Sequence, residues 1–287
     1  MSPCSCAWTR RGDGWTGCRR RWPICPPPTT ISRPGGDPLA RGKVLAAQCA
    51  AFGFNLDFST CLDVWSNPEN TVIGDRAYGT DWENVTLAGL AVNEGLEAGG
   101  IIPVVKHFPG HGDTLADSHV ALPVVDKTEK ELWQSELKPF QAAVDQGAPM
   151  VMVAHILMRQ LDPNYPASLS NRVVTGLLRK EMGFDGVVCT DDLTMAAVSD
   201  NYGMGEAAVL AVEAGCDLLL VCHQADNLTA ARDALLAAVD SGRISMLRLN
   251  ESVYRILTLK LDRNLTNDPV AVPDTDALNE QIQAILP

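Results

Sequence analysis

The chain has 287 residues, of which 46% are hydrophobic and 20% are charged, and its formal net charge is -12. This balance is typical of an ordinary globular protein with one large domain or two small ones. The negative charge argues against nucleic acid and against an anionic membrane surface as partners, because both carry negative charge of their own. No apolar run approaches the ~20 residues that a membrane-spanning helix needs.

Residues 1–38 differ from the rest of the chain in composition. They contain half of the six tryptophans, a cluster of prolines between positions 23 and 28, and an excess of arginine within an acidic protein. Neither the two-residue period of a strand nor the 3.6-residue period of a helix is visible in them. We therefore predict a disordered leader, or a segment that is not native sequence, such as a frameshifted or misassigned start. Residues 39–287 are predicted to form a single domain.

The nine cysteines fall into two groups. The four before residue 26 lack the spacing of a zinc site, and no Cys-x-x-Cys occurs in the chain. The other five lie in apolar patterns and are predicted to be small buried hydrophobes: Cys49, Cys61, Cys189, Cys216 and Cys222. We therefore expect no metal and no cofactor. The odd number of cysteines and the absence of a visible signal peptide favour a reducing cytoplasm.

Regular patterns begin at about residue 39 and alternate between helix and strand. Thr80-x-x-Glu83 and Thr128-x-x-Glu131 have the capping-box pattern that opens a helix. The strands are continuous runs rich in Val, Ile and Leu, which indicates burial on both faces. The fold class is therefore α/β with a parallel sheet of five strand–helix units. Strands are predicted at 54–64, 101–107, 150–155, 186–191 and 217–223, and helices at 39–52, 80–99, 128–147, 171–182, 195–215, 226–242 and 246–261.

The stretch from Lys106 to His119 follows a predicted buried strand and holds three of the five histidines. Pro109 and Gly110 prevent further strand or helix, so the stretch is predicted to be a loop. Four polar residues, of which the first belongs to this stretch, lie at the carboxyl ends of predicted strands: His107, His155, Asp191 and His223. In parallel α/β folds this edge of the sheet carries the chemistry.

Asp191 could act as a nucleophile or as an electrostatic stabiliser at the end of its strand. The alternative is that it caps the following helix, a position that aspartate favours. Since Asp192 is adjacent, one carboxylate could cap while the other reacts. The local sequence leaves these alternatives open.

Asp117 and His119 are two residues apart, which places them on one face of an extended segment. There the carboxylate can orient the imidazole and raise its pKa, as in a general acid/base pair. The alternative is a solvated pair of loop charges. Lys106, His107 and Arg76 could bind hydroxyl or carboxylate groups.

The spacing of His107 and His111 would suit a metal on a helix. Pro109 and Gly110 prevent that helix, and no carboxylate triad is evident. We therefore predict no metal site here.

Three segments carry a resemblance to a known family. They are Lys106–Thr114 followed by Asp117-Ser118-His119, the nucleophile-like segment Thr190–Met195, and the loop Gly74-Asp75-Arg76. Together they resemble bacterial β-N-acetylglucosaminidases, also called β-hexosaminidases, of glycoside hydrolase family 3. The similarity keeps its order and spacing from about Val44 to Leu261.

The resemblance implies a retaining, two-step removal of terminal non-reducing β-linked N-acetylglucosamine from muropeptides in cell-wall recycling. Asp191 would attack the anomeric carbon, and His119, oriented by Asp117, would transfer the protons. The expected partner is a small carbohydrate, and the expected state is a cytoplasmic monomer without a cofactor.

The resemblance also assigns residues to substrate binding. Arg76, Lys106 and His107 would hold sugar hydroxyls, and Met195 would line the pocket. His155 and Asp63 would support its floor.

The fold that the resemblance implies is a (β/α)8 TIM barrel, which typically needs about 250 residues. About five of eight strand–helix units are visible, and the family's Val-Asp-Gln-Glu-Gly-Gly segment, whose aspartate binds the sugar, does not occur in residues 1–53. We therefore expect an N-terminally truncated or frame-disrupted member with an open barrel that is inactive alone. The alternatives are an open α/β sheet that binds sugar without hydrolysing it and a metal-dependent hydrolase.

Overall fold

Five parallel strands form the main sheet in the computed structural model, which describes residues 36–114 and 122–285 together with Pro28. The sheet order is β1-β2-β4-β6-β7, while β3 and β5 form a separate parallel pair. All five predicted strands are confirmed in chain order. The β3–β5 pair was not predicted, because two-residue strands are too short to show a period. The strands are β1 (Leu56–Cys61), β2 (Ile102–Phe108), β3 (Val124–Val125), β4 (Met150–Val153), β5 (Leu157–Met158), β6 (Val187–Asp192) and β7 (Leu218–Leu220).

Alternate residues of the main strands enter two different layers of the core. On one face of the sheet, residues such as Val105, Val151 and Val188 pack in the same core cluster as residues of the helices. Because neighbouring side chains of a strand point to opposite faces, both faces must be apolar, which explains the continuous apolar runs. The other face has its own cluster, formed by Leu56, Phe58, Ile102, Val104, Met150, Met152, Val187 and Cys189.

The helices follow the predicted alternation, with differences at their ends and an unpredicted last helix. The segment at 172–181 is hydrogen-bonded as a π-helix, and short 3-10 turns lie at Gly74–Arg76 and Ala167–Leu169. The α-helices are α1 (Pro38–Ala51), α2 (Trp82–Ala98), α3 (Glu129–Leu132), α4 (Leu137–Asp145), α5 (Ala196–Ser199), α6 (Met204–Ala214), α7 (Ala225–Asp240), α8 (Met246–Asp262) and α9 (Thr275–Ile285).

One of the two predicted capping boxes is confirmed. Thr128 and Glu131 form it at the start of α3. The prediction of a cap at Thr80 is wrong, because Asp81 occupies that position and accepts a hydrogen bond from the backbone N–H of Asn84 at 2.9 Å. The predicted helix 128–147 breaks at residues 133–136, because Pro139, in the first turn of α4, has no N–H to donate to the carbonyl oxygen of Ser135.

Strands β1 and β7 are the edges of the main sheet, and each pairs with one neighbour within the described part of the chain. All three residues of β7 are half-buried, whereas β2 and β4 are buried throughout. Residues 36–114 and 122–285 thus form about five of the eight units of a (β/α)8 fold, without a closed barrel among them. No helix in these ranges is both long enough and apolar enough to span a membrane.

The crossing of α1 and α2 requires a glycine. A Cβ atom at Gly95 would lie 2.5 Å from the carbonyl oxygen of Leu39 and 2.7 Å from the backbone nitrogen of Lys43. We expect Gly95→Ala to lower the free energy of unfolding by about 1–3 kcal/mol in urea denaturation, because the helices must move apart. Leu87→Ala, on the same helix but 72% exposed, is the control and should cost about 0.5 kcal/mol or less. Equal losses would contradict this explanation.

Candidate active site

The carboxyl ends of β1, β2, β4 and β6 meet at one edge of the sheet, hereafter the carboxyl edge. Lys106 and His107 lie in β2, Asp191 lies in β6, and Asp63 and His155 follow β1 and β4. Asp191 is close enough to Lys106, His107 and His155 for their charges to shift its pKa. The structure therefore brings together side chains that the sequence placed at strand ends.

Asp191 and Asp192 have different surroundings, which the sequence left open. Asp192 accepts hydrogen bonds from the backbone N–H groups of Thr194 and Cys222, both at 3.0 Å, and from the Thr194 hydroxyl at 2.6 Å. Among the described residues, Asp191 accepts one hydrogen bond, from the backbone N–H of Asp192 at 2.8 Å. Asp192 thus holds the turn after β6. The idea that one of them caps the next helix is wrong, because Met195 is at that position.

The carboxylate of Asp191 is held in its ionised form. Burial by itself would raise its pKa, but His107, His155 and Lys106 act in the opposite direction, and the net pKa lies below the ordinary value of 3.8. The backbone N–H of Asp192 adds to this effect. An ionised carboxylate is what a nucleophile or an electrostatic stabiliser requires.

Lys106 is a buried cation without an ion-pair partner among the described residues. The residue is 5% exposed, and its ammonium has no hydrogen bond or salt bridge within the described ranges. Burial and the nearby Arg76 lower its pKa, whereas Asp191 acts to raise it. Because buried charges are normally paired, this ammonium is suited to a polar ligand at the carboxyl edge.

Arg76 lies in the loop between β1 and α2, and Asn70 shapes that loop. Nε and Nη2 of Arg76 donate to the carbonyl oxygen of Val72 at 3.0 and 2.7 Å. The buried side chain of Asn70 accepts from the backbone N–H of Val72 at 3.0 Å and donates to the carbonyl oxygen of His111 at 2.7 Å. Asn70 thereby joins the Arg76 loop to the loop that follows β2 and contains His111, hereafter the histidine-rich loop. It was not among the predicted residues, and the tendency of asparagine to form Asx turns was its one signal.

His155 is completely buried and is fixed from both sides of its ring. Nε2 lies 3.0 Å from the carbonyl oxygen of Asp192, and Nδ1 lies 2.6 Å from the hydroxyl of Ser168. Since a carbonyl oxygen can only accept, Nε2 carries the proton and the Ser168 hydroxyl donates to Nδ1. His155 therefore supports the strand end that carries Asp191.

Cys61, Asp63 and His107 place possible metal ligands within 4.8 Å of one another, and the ligand types would suit zinc. The same atoms are already joined by hydrogen bonds, since Asp63 accepts from Sγ of Cys61 at 2.9 Å and from Nδ1 of His107 at 2.6 Å. Burial raises the pKa of the Cys61 thiol well above 9.0, which disfavours the thiolate that zinc binds. The arrangement fits a hydrogen-bonded network better than a metal centre.

The remaining residues predicted for the site are Met195, His223, Asp117 and His119. Met195 is 6% exposed, and its backbone N–H donates to the carbonyl oxygen of Asp192 at 3.0 Å. His223 is exposed, with Nε2 3.7 Å from the Asp192 carboxylate. Asp117 and His119 lie outside the described residues, so their pairing stays a prediction.

Three buried histidines make the stability of the protein depend on pH. Burial lowers the pKa of His107 from 6.5 to about 4, and it also lowers the pKa of His111 and His155. Below about pH 6.5 the unfolded chain therefore binds protons that the folded chain does not, so stability falls as the pH falls toward 4. We expect each histidine to contribute up to about 1.4 kcal/mol per pH unit to this loss.

Urea denaturation between about pH 7 and about pH 5 would measure the slope. His107→Gln should reduce the slope, whereas His223→Gln is the matched control because the His223 side chain is 75% exposed. A slope that is unchanged in His107→Gln would contradict the prediction.

Residues 40–259 match the family model described as the Glycosyl hydrolase family 3 N terminal domain. The match covers more than half of the chain. The chain belongs to glycoside hydrolase family 3. This finding confirms the resemblance that the three sequence segments carried, and the α/β fold agrees with it.

Family 3 relatives are similar to this chain in sequence and in fold. The chain is 37% identical over 196 residues to a β-hexosaminidase of Methylobacillus flagellatus, covering 68% of this chain and 54% of that one. It is 39% identical over 231 residues to the β-hexosaminidase LpqI of Mycobacterium tuberculosis, covering 77% and 58%. A solved family 3 β-N-acetylglucosaminidase from Paenibacillus superposes with a TM-score of 0.85 at 42% identity, covering 92% and 52%. The chain thus spans about half the length of the relatives it matches.

Proposed function

We propose that this family 3 chain forms the catalytic part of a β-N-acetylhexosaminidase, which removes terminal non-reducing β-linked N-acetylglucosamine. The observation that carries the proposal is the ionised carboxylate of Asp191, placed beside Lys106 and His107 at the carboxyl edge. The relatives support the substrate class, because their names are β-hexosaminidase and β-N-acetylglucosaminidase.

In the proposed first step, an oxygen of Asp191 attacks the anomeric carbon as the bond to the leaving oxygen breaks. His119, oriented by Asp117, gives its proton to that oxygen, and a covalent glycosyl-enzyme forms. In the second step His119 takes a proton from water, whose oxygen attacks the anomeric carbon and releases Asp191. Two displacements retain the anomeric configuration.

Substrate binding is proposed for the residues around Asp191. The ammonium of Lys106 and the guanidinium of Arg76 supply donors for sugar hydroxyls, and both are near enough to His107 to lower its pKa. Met195 contributes an apolar, buried side chain to the same strand end. These residue types suit a neutral, hydroxyl-rich ligand.

The biological setting is also a proposal. We infer that the substrates are N-acetylglucosaminyl muropeptides of cell-wall recycling and that the protein acts as a cytoplasmic monomer. The names of the relatives support the sugar, and the acidic net charge of -12 is compatible with a small carbohydrate partner rather than a polyanion.

Incubation of the purified chain with a chromogenic N-acetyl-β-glucosaminide tests the activity. Turnover, with the β-anomer of N-acetylglucosamine as the first product in proton NMR spectra, is the outcome that the proposal requires. It would overturn the sequence-based expectation that an open barrel is inactive alone. An α-anomer as first product would contradict retention. A folded chain that shows no turnover would contradict hydrolysis by this chain.

A second candidate function is favoured by the two open edges of the sheet. Strands β1 and β7 each have one partner within the described residues, and an open sheet leaves part of a barrel interior uncovered. The chain would then bind N-acetylglucosamine without hydrolysing it, either as a binding protein or as an inactive remnant. Saturable binding with cooperative unfolding and no turnover would identify a binder, and no binding would identify a remnant.

A further inference from the structure

The buried carboxylate of Asp63 accepts four hydrogen bonds. Oδ1 accepts from the backbone N–H groups of His107 at 3.3 Å and His111 at 2.7 Å. Oδ2 accepts from Nδ1 of His107 at 2.6 Å and from Sγ of Cys61 at 2.9 Å. Burial opposes ionisation of Asp63, but the contacts with His107 outweigh it and keep the pKa of the carboxyl below 3.8. Asp63 is therefore a carboxylate that can only accept.

An acceptor-only partner determines which nitrogen of His107 carries a proton. Since Asp63 cannot donate, Nδ1 of His107 must be the N–H that it contacts at 2.6 Å. Burial lowers the pKa of His107 to about 4, so the ring is neutral at neutral pH. In a neutral ring with hydrogen on Nδ1, Nε2 is a hydrogen-bond acceptor.

Nε2 of His107 is an acceptor without a partner among the described residues, and Lys106 precedes it in β2. It has no hydrogen bond within the described residues, although the residue is only 4% exposed. The adjacent Lys106 ammonium also lacks a partner there, and an ammonium can only donate. A ligand group that forms a hydrogen bond with Nε2 must carry a hydrogen that it can donate. A hydroxyl does so, whereas an ionised carboxylate or phosphate can only accept.

We propose that Asp63 is a positioning residue that holds His107 with its proton on Nδ1, so that Nε2 accepts a hydrogen bond from a sugar hydroxyl. The inference rests on the proposed function for the identity of the ligand, but the proton position can be measured without any ligand. The sequence left open whether Lys106 and His107 bind hydroxyl or carboxylate groups. The proposal selects a hydroxyl as the group that binds Nε2 of His107.

A merely structural role for Asp63 gives different expectations. Two of its four hydrogen bonds go to backbone N–H groups, and these could anchor the histidine-rich loop whatever the state of the ring. In that case, replacing Asp63 would change stability and leave the proton position in His107 unaffected.

Long-range nitrogen-15 NMR spectra of the full chain distinguish the two nitrogens of each histidine. The His107 signals are assigned by their loss in His107→Gln. In the native chain at about neutral pH, we expect a neutral ring with hydrogen on Nδ1. A protonated ring, or hydrogen on Nε2, would overturn the proposal, and this measurement needs no Asp63 variant to fold.

Asp63→Asn is the matching variant, because its amide can present N–H to Nδ1 and so move the ring hydrogen to Nε2. Cys61→Ser keeps the carboxylate and an O–H donor, and it should leave the proton position native. We expect Asp63→Asn to weaken N-acetylglucosamine binding by about tenfold or more, because Nε2 can no longer accept. An unchanged proton position in folded Asp63→Asn would overturn the proposal. If the native chain binds no N-acetylglucosamine, the proposed function fails, while the proton positions still decide the role of Asp63.

Discussion

Asp191→Asn should abolish hydrolysis of a chromogenic N-acetyl-β-glucosaminide, with a loss in kcat of about a thousandfold or more. The amide lacks the negative charge that attacks the anomeric carbon, and it cannot form the covalent glycosyl-enzyme. Asp191 accepts one hydrogen bond among the described residues, from Asp192, so its replacement removes little that holds the fold together. Steady-state kinetics combined with urea denaturation would separate the two effects.

Asp192→Ala is the matched comparison one residue away. It removes three hydrogen bonds, to the N–H groups of Thr194 and Cys222 and to the Thr194 hydroxyl. We expect it to lower the free energy of unfolding by about 1–3 kcal/mol. If Asp191→Asn kept its activity, or if Asp192→Ala cost no stability, the division of roles between the two aspartates would be wrong.

Asp217→Asn should have the largest effect on stability, a loss of about 3–5 kcal/mol in the free energy of unfolding. The Asp217 side chain is fully buried. It accepts from Ser252 at 2.7 Å and from the backbone N–H of Val188 at 3.0 Å. Three guanidinium groups also face it, from Arg179 at 2.5 Å, Arg255 at 3.3 Å and Arg248 at 3.5 Å. An asparagine leaves these three positive charges without their buried counter-charge.

Glu213→Gln is the control, because it removes one carboxylate from an ion pair with Arg243 on the protein surface. Arg243 contacts Glu213 at 2.8 Å and Glu206 at 2.7 Å on the surface. An exposed pair of this kind contributes about 1 kcal/mol or less, so urea denaturation should detect a small change. A loss in Asp217→Asn no larger than that in Glu213→Gln would contradict the role assigned to Asp217.

The main strands could be predicted because their apolar runs report burial directly. β2 and β4 are buried at every position, and the runs Ile102–Val105 and Met150–Val153 are apolar throughout, as a strand covered on both faces requires. Helix ends were harder to predict, since neighbouring residues compete for the same role. Asp81 caps α2 in place of Thr80, and Pro139 divides a helix that periodicity alone joined.

The sequence predicted which polar residues lie at the strand ends of the candidate site, but it did not predict their contacts with one another. The sequence indicated Lys106, His107 and Asp191, because polar residues at the ends of buried strands are conspicuous. It could not indicate that Asn70 contacts His111, which is 41 residues away in the chain. Nor could it indicate that Asp63 contacts His107 across 44 positions.

The sequence by itself determined the alternation of strands and helices, the family, and the position of Lys106, His107, His155 and Asp191 at the carboxyl edge, because these depend on local composition and order. The tertiary structure alone decided that Asp192 holds the turn, while Asp191 accepts a single hydrogen bond from the part of the chain that the structure describes. It also decided that Asp63 contacts Nδ1 of His107 and that Asp217 faces three arginines. Such assignments depend on which residues, distant in the chain, lie together in the buried interior. Local sequence does not encode that proximity, yet it decides which hydrogen bonds form and which groups lose their contact with water.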